Sequence, residues 1–451
     1  MWGFSNSNYS GNMGIFLNPS TIVAAPYKYE FNYLALDAFA EDTYVYVPRS
    51  RRILVNSLTG KAGSENNLVD DYNSDLQKGF GRLLVIGPSF ILNRGDDAFG
   101  FHLAYRHEAS ALNVMPSLAK FIYEKYKYEP IINQNFSGGP FTTAWLNWAE
   151  LGGTYGRTLI ERQTDFLKAA ITVNLLAGFN GLYMDARKLD YTILDSSSVA
   201  IHTLDATIGH ALAADGSTGF SNFFALRGYG LSTTMGLTYI HHRNRNGYDC
   251  NKTSDQLAKY RYRVGFSLLD FGFIHFSNQA QVMEVKANGN PNWSRLDTVT
   301  FHSIGHLDTL ISNNVNGTFS SVQNKSFSMY LPTAFSIQFD YCLAPKFYAN
   351  ASLVNRIYYS PKEVARGNSL DLSIRYETRK FEGTFDVALF EYSRPAVGVG
   401  LHYGIFVVGT DRLLQLLNLV DLHSFDIFFG FKANLCDLNK KSKGSCPAYK
   451  D

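Results

Sequence analysis

Charge is scarce in this 451-residue chain. Asp, Glu, Lys and Arg make up 18% of it, against about 25% in an average soluble domain. The 41 basic and 39 acidic residues nearly cancel, to a formal +2. No dense basic stripe occurs either, so nothing marks a nucleic-acid partner. Long apolar runs are also missing: the greasy stretch from Ile405 to Leu422 is broken by Asp411 and Arg412. That excludes a helical membrane protein, whose spans need about 20 apolar residues. Four cysteines, Cys250, Cys342, Cys436 and Cys446, are too few for a disulfide scaffold. Cys436 and Cys446 bracket a short polar segment and form a candidate local disulfide in an oxidising compartment. Met1-Trp2-Gly3-Phe4 has neither the basic region nor the apolar core of a signal peptide. The chain is therefore either cytoplasmic or already processed, and the pattern of its strands favours processing.

What the chain has is aromatics: 34 Phe, 28 Tyr and 4 Trp, enough with its aliphatics to rule out disorder. It also has period two. In Leu370-Asp371-Leu372-Ser373-Ile374-Arg375-Tyr376-Glu377 every even position is apolar and every odd one polar. Phe335, Ile337, Phe339 and Tyr341 alternate with polar partners, as do Tyr260, Tyr262, Val264, Phe266 and Leu268. Val397 to Val407 reads as one alternating strand, and Phe425 to Phe431 as the last. Side chains of a strand point alternately to opposite faces, so these strands have one apolar and one polar face.

Several runs reach ten residues or more, where soluble strands average about five or six. A tilted strand needs about nine to eleven residues to cross a bilayer. Tyr and Phe gather near strand ends, as at Tyr358-Tyr359 and Tyr260, the pattern of aromatic girdles. The competing reading, a soluble β-sandwich or solenoid, calls for shorter strands and more charge. Candidate strands begin near residues 27, 43, 80, 97, 144, 166, 189, 225, 257, 327, 346, 369, 383, 397 and 424. Barrels of this type prefer even numbers, which points to about fourteen. Residues 50–79 and 287–325 read as long polar loops, 112–131 as an amphipathic loop helix, and Arg412–Leu417 as a short helix between the last two strands.

Near the N-terminus, Ser10-Gly11-Asn12-Met13-Gly14 precedes Phe16-Leu17-Asn18-Pro19-Ser20 and the first alternating strand. This resembles the start of FadL-type outer-membrane transporters of hydrophobic compounds. There a Gly-rich segment ending in Asn-Pro-Ala lies in the lumen as a hatch; here Ser20 replaces the Ala. Across most of its length the chain also resembles a Bacteroidota family of outer-membrane barrels of unknown function, distantly FadL-like. The features are Ser267-Leu268-Leu269-Asp270-Phe271-Gly272, Leu331-Pro332-Thr333-Ala334, Asp340-Tyr341 and Cys446-Pro447-Ala448-Tyr449. Members often carry a peptidoglycan-binding domain, which is not expected here. The resemblance implies an outer-membrane location and supplies no substrate.

Catalytic motifs are not found: no Gly-x-Ser-x-Gly elbow, no Walker loop, no Cys-x-x-Cys. His302 and His306 are four apart, and His241-His242 lie near Asp249 and Cys250, but both sets read better as loop residues than as metal ligands. An ionised Arg or Lys facing lipid costs roughly 2–4 kcal/mol at the midplane, so charges on strands must face inward. The lumenal candidates are Lys259, Arg261, Arg263, Asp340, Asp371, Arg375, Glu377 and Asp386, with Asp426 and Lys432. They line a solute path, hold the Asn18-Pro19 hatch, or form an ion-pair network filling a closed barrel.

The expectation is an all-β transmembrane antiparallel barrel of about fourteen strands. Residues 1–26 form a lumenal hatch segment, 27–435 the barrel and 436–451 a periplasmic tail. No enzyme activity, cofactor or metal is expected. By analogy the barrel binds or passes a small amphipathic or hydrophobic ligand across the bacterial outer membrane. The alternative is a non-transporting subunit of a larger complex, a secretion or barrel-assembly machine, with envelope proteins as partners besides the bilayer.

Overall fold

The computed structural model describes residues 2–25, 27–51, 68–124, 131–162, 164–195, 198–212, 220–242, 260–288, 292–293, 326–378 and 380–437. The alternating runs all form strands: β1 (Tyr27–Asp42), β2 (Gln77–Arg94), β3 (Asp97–Val114), β4 (Phe141–Glu161), β5 (Asp165–Asp195), β6 (Ser198–Ala211), β7 (Gly228–His242), β8 (Tyr260–Phe276), β9 (Ala280–Asn288), β10 (Phe327–Tyr330), β11 (Ala334–Ala344), β12 (Phe347–Arg356), β13 (Ser369–Glu377), β14 (Phe381–Phe390), β15 (Arg394–Tyr403), β16 (Phe406–Thr410) and β17 (Ser424–Asp437). β1 pairs antiparallel with both β2 and β17, so the sheet closes on itself. β10 and β11 share one side of β8 and act as a single wall strand interrupted at Leu331-Pro332-Thr333. With β6 and β9 outside the wall, the barrel has fourteen strands. Closure leaves no edge, the condition for a sheet to stand in lipid.

The burial pattern is that of a membrane barrel. Along β13 and its neighbours the outward Leu372, Ile374, Phe385 and Leu401 are about half exposed, while the inward Asp371, Arg375, Glu382 and His402 are fully buried. Among the described residues no helix is long and apolar enough to cross a membrane; the strands do so. Connections at the end holding Tyr27 and Asp437 include turns of two residues, at 95–96, 345–346 and 404–405, with one long connection at 243–259, whereas most of the long connections join strands at the other end. Short turns face the periplasm and long loops the exterior.

Three expected strands are corrected. Near residue 43 there is only a two-residue pairing of Val45–Tyr46 with Val69–Asp70. No strand begins at 189, because β5 runs unbroken for 31 residues. The run from Val397 to Val407 is two strands, reversed at Gly404, whose φ of +63° suits glycine. That two-residue turn shifts the parity, so Phe406 faces lipid and Val407 is buried. The total of fourteen stands, reached by losing two strands and gaining one.

β5 is long because it serves two sheets. Asp165 to Gly178 pair with β7 in the wall, and Gly181 to Asp195 pair with β6, which pairs with β9. Arg227 sits at this fork and donates to the carbonyls of Phe179 (2.8 Å), Ala225 (3.1 Å) and Asn222 (2.9 Å). Phe179 lies where β5 passes from one sheet to the other, and Ala225 and Asn222 lie in the connection before β7, so their carbonyls draw on a side-chain donor. The extension carries its own apolar core, in which Tyr191, Ile193, Val199 and Ile208 pack with residues of the loop helix Pro116–Tyr123. That helix falls inside the amphipathic stretch expected over 112–131, and the turn Leu413–Leu416 inside Arg412–Leu417.

Candidate functional site

The lumen is filled from both ends. From the periplasmic end, the N-terminal segment runs as short helical turns at Trp2–Ser5, Gly11–Phe16 and Pro19–Ile22. Pro19 opens the last turn, where its missing N–H goes unneeded, and Asn18 caps it, its Oδ1 accepting from the Ser20 N–H at 3.0 Å. The Asn18 amide donates to Gln338 Oε1 at 2.9 Å and Thr238 Oγ1 at 3.3 Å, tying the turn to β11 and β7. Wall side chains also hold the segment's backbone: Arg263 on the Asn6 carbonyl, Lys432 on Tyr9, Ser267 on Leu17 at 2.6 Å and Lys168 on Val23 at 2.8 Å. The hatch segment expected from Asn18-Pro19 is thus a lumenal plug.

The candidate lumenal residues separate into groups. Arg263, Asp340, Arg375 and Glu377 come together: Asp340 Oδ2 lies 3.0 Å from Arg263 and 3.1 Å from Arg375, which also pairs with Glu377. Asn8 of the plug donates to Glu377 at 2.8 Å. Asp371 and Asp386 are buried but stand apart from this network. Arg261 is exposed at the periplasmic rim, and Lys259 lies outside the described residues. His302 and His306 lie outside them too, and among the described residues no group of three or more ligands could hold a metal. His241 is bonded to Asp165 at 2.8 Å and stacks on Tyr262. Cys342 is in a disulfide; the side chains of Cys436 and Cys446 lie outside the described residues.

A second charged group, not among the candidates, lies higher in the lumen. Arg106 makes a bidentate pair with Asp270 at 2.8 and 2.9 Å and reaches Glu108 at 2.7 Å. Arg366 pairs with the same Asp270, and Arg82 with Asp37 at 2.8 Å. His102, Arg106 and Glu108 occupy the polar phase of the alternation in β3, so their signal was present, whereas Arg82 shares its face of β2 with Phe80, Leu84 and Ile86. Asp270 was hidden, because at φ +51° it lets two consecutive residues, Leu269 and Asp270, face inward.

Arg366 belongs to the loop 357–368, which caps the lumen from the outer side. The Tyr330 N–H donates to the Lys362 carbonyl and the Val364 N–H to that of Tyr330, and the Ala365 N–H meets Ser110 Oγ at 2.9 Å. Burial in this cap pushes the Glu363 carboxyl up to about 8. Beside the cap, an outer vestibule of about 230 Å3 is floored by Phe80 and Phe390 and edged by Lys78, Glu391 and Arg394. Phe39, Phe80 and Phe390 touch at ring distances of 5.2 and 5.4 Å, with the Arg412 guanidinium over Phe39 and Phe390. Further in, a cavity of about 60 Å3 is lined by Met13, Phe16 and Leu17 of the plug and by the ion-paired Arg82, Arg106, Arg366, Asp37 and Asp270. A concavity of about 630 Å3 opens on the lipid-facing wall between Tyr155 and Ile337.

A lumen plugged by the N-terminus in a fourteen-stranded barrel is what the sequence resemblance implied, and the family comparison names the group. Residues 65–411, well over half of the chain, match the family of unknown function DUF5723. The chain belongs to this family. No curated protein matches. Among solved structures the chain is similar to the toluene transporter TbuX of Ralstonia pickettii, at 10% identity over 94% of both chains with a TM-score of 0.42. It is similar to the Pseudomonas putida toluene transporter TodX at 11% identity over 96% of this chain and 95% of that one, with a TM-score of 0.35. The translocator domain of the Neisseria meningitidis autotransporter NalP matches at 7% identity over 88% of both chains, with a TM-score of 0.29. DUF5723 membership brings no activity with it, so function has to be read from the lumen.

Proposed function

We propose that this DUF5723 chain is an outer-membrane channel that binds and passes a small amphipathic or hydrophobic ligand, with the N-terminal segment as its hatch. The observation that carries the reading is the inner cavity, lined by the apolar plug side chains Met13, Phe16 and Leu17 together with a polar wall of Arg82, Arg106 and Arg366 paired to Asp37 and Asp270. Such a site suits a ligand with one greasy and one polar end. The cavity has room for only a few waters, so passage requires the plug to move. Its backbone is held by hydroxyl, ammonium and guanidinium groups that water or ligand can satisfy instead. The carboxylates of Asp37, Asp270, Asp340 and Glu377 are engaged in ion pairs or plug contacts, and no catalytic role is proposed for them.

The test is conductance in planar bilayers. Deleting residues 2–18 raises it if the segment is a hatch, and unchanged conductance argues against one. The second reading, a non-transporting subunit of an envelope complex, draws on the extension of β5, β6 and β9, whose core stands apart from the lumen. It requires partners that co-purify in fixed stoichiometry and leave when that extension is shortened.

A further inference from the structure

Near the outer rim of the lipid-facing wall the strand register sets small residues side by side. Ala40 faces Gly81 and Gly81 faces Ala109, and one rung higher Gly79 faces Ala111. With little beyond the backbone there, the wall is sunk into an apolar groove of about 570 Å3, inside the roughly 300–1,000 Å3 range of small-molecule sites. Trp145 closes one side, its indole N–H donating to His107 at 2.9 Å, and Val45, Val47 and Leu68 overhang the top. The overhang is anchored: Val47 and Leu422 exchange backbone bonds of 3.1 and 2.8 Å, and Lys120 holds Asp70 at 2.9 Å.

Depth in the membrane follows from strand length. Gly81 lies nine residues from Phe90 of the periplasmic-side aromatics along β2, and about nine to eleven residues span the bilayer. The groove therefore sits at the outer-leaflet boundary, where a tryptophan belongs. Beside it the surface carries both halves of a lipid's complement. Leu417, Leu419 and Val420 are exposed, and the exposed turn Arg49–Arg51 is fixed against them by the Arg49 N–H on Asp421 Oδ1 at 2.8 Å. A two-fold contact with a second copy of the chain would set this arginine turn against itself. An anionic lipid meets both the cations and the apolar floor.

We propose that this groove seats an acyl chain of an outer-leaflet lipid whose phosphorylated headgroup rests on the Arg49–Arg51 turn. The site is independent of the lumenal path and stands or falls without it.

Native mass spectrometry of the full chain, delipidated and then offered a bis-phosphorylated glycolipid or phosphatidylcholine, tests the seat. One glycolipid per barrel is expected, with phosphatidylcholine bound about tenfold less. Gly81→Leu with Ala109→Leu fills the groove and abolishes the adduct while the unboiled gel migration stays that of a folded barrel. Arg49→Glu with Arg51→Glu alters only an exposed turn, and lowers glycolipid occupancy without changing that of phosphatidylcholine. Equal binding of the two lipids, or full glycolipid occupancy in both double variants, overturns the proposal. A dimer mass lost on filling the groove overturns it in favour of a copy interface.

Discussion

Asp270 shows how much one residue decides. Its backbone lies in the left-handed region, at φ +51°, which Asp and Asn tolerate better than other side chains. The resulting break in alternation swings a carboxylate between Arg106 of the wall and Arg366 of the outer cap. Asp270→Ala leaves two buried guanidiniums short of their shared partner, and a loss of about 3–5 kcal/mol is expected. Asp270→Asn keeps the backbone preference and part of the hydrogen bonding, so it should lose less. Denaturant titration in detergent measures both, and an unchanged midpoint for Ala would show that this network does not hold the cap. Glu363 sets a pH dependence on the same loop. Its folded-state value, about 8, lies above the ordinary 4.5 because burial disfavours the charge. The folded protein thus binds more protons than the unfolded one between those values, and the stability of the cap falls as pH rises through that window. Hydrogen exchange across 357–368 should quicken from pH 5 to 8 in the wild type and show no such extra loosening in Glu363→Gln.

At the scale of elements, period two was enough to locate nearly every wall strand, because a half-buried strand must alternate. It failed at three places: near residue 43 only a two-residue pairing forms, and elsewhere a turn of two residues or a strand that changes partners leaves the local pattern nearly intact. Hence Val397–Val407 read as one strand and β5 as two. The plug was legible through Asn18-Pro19, yet its seat was not, since that depends on glycines of distant strands. A Cβ on Gly236 would lie 2.1 Å from Asn18 Oδ1 and 2.8 Å from Pro19. Gly236→Val should therefore push the Asn18–Ser20 turn off β7 and raise conductance in bilayers with the rest of the plug present. Conductance equal to wild type would mean the turn relaxes without unseating. Shortening 357–368 should open the lumen from the other side, and combined with the Gly236 variant should exceed either change alone.

For the whole molecule, the closed antiparallel wall dictates the inverted arrangement of an apolar outside and a polar inside. An unboiled sample in detergent should migrate apart from a boiled one, and identical migration with solubility in plain buffer would remove the membrane assignment. Leu372, outward and near the middle of β13, should tolerate charge poorly: Leu372→Arg is expected to cost roughly 2–4 kcal/mol. Ile122→Arg, on the exposed face of the outer loop helix, should cost almost nothing by the same denaturant titration. Equal effects would place the bilayer elsewhere on the wall.

What the sequence determined by itself is the sorting of faces and the membrane-spanning length of the strands. Both are local, since each residue's side follows from the one before it. Only closure decided which inward residues meet. Arg263 stands directly across from Asp340 in the β8–β11 register, but Arg375 joins them from β13, and Asp371 on that same strand does not. The upper network was likewise beyond local reading, because Arg106, Asp270 and Arg366 are contributed by a wall strand, a bulge and a cap loop. A hydrogen-bonded ion pair needs its partners within about 4 Å, so it depends on register and curvature accumulated around fourteen strands rather than on any stretch of sequence.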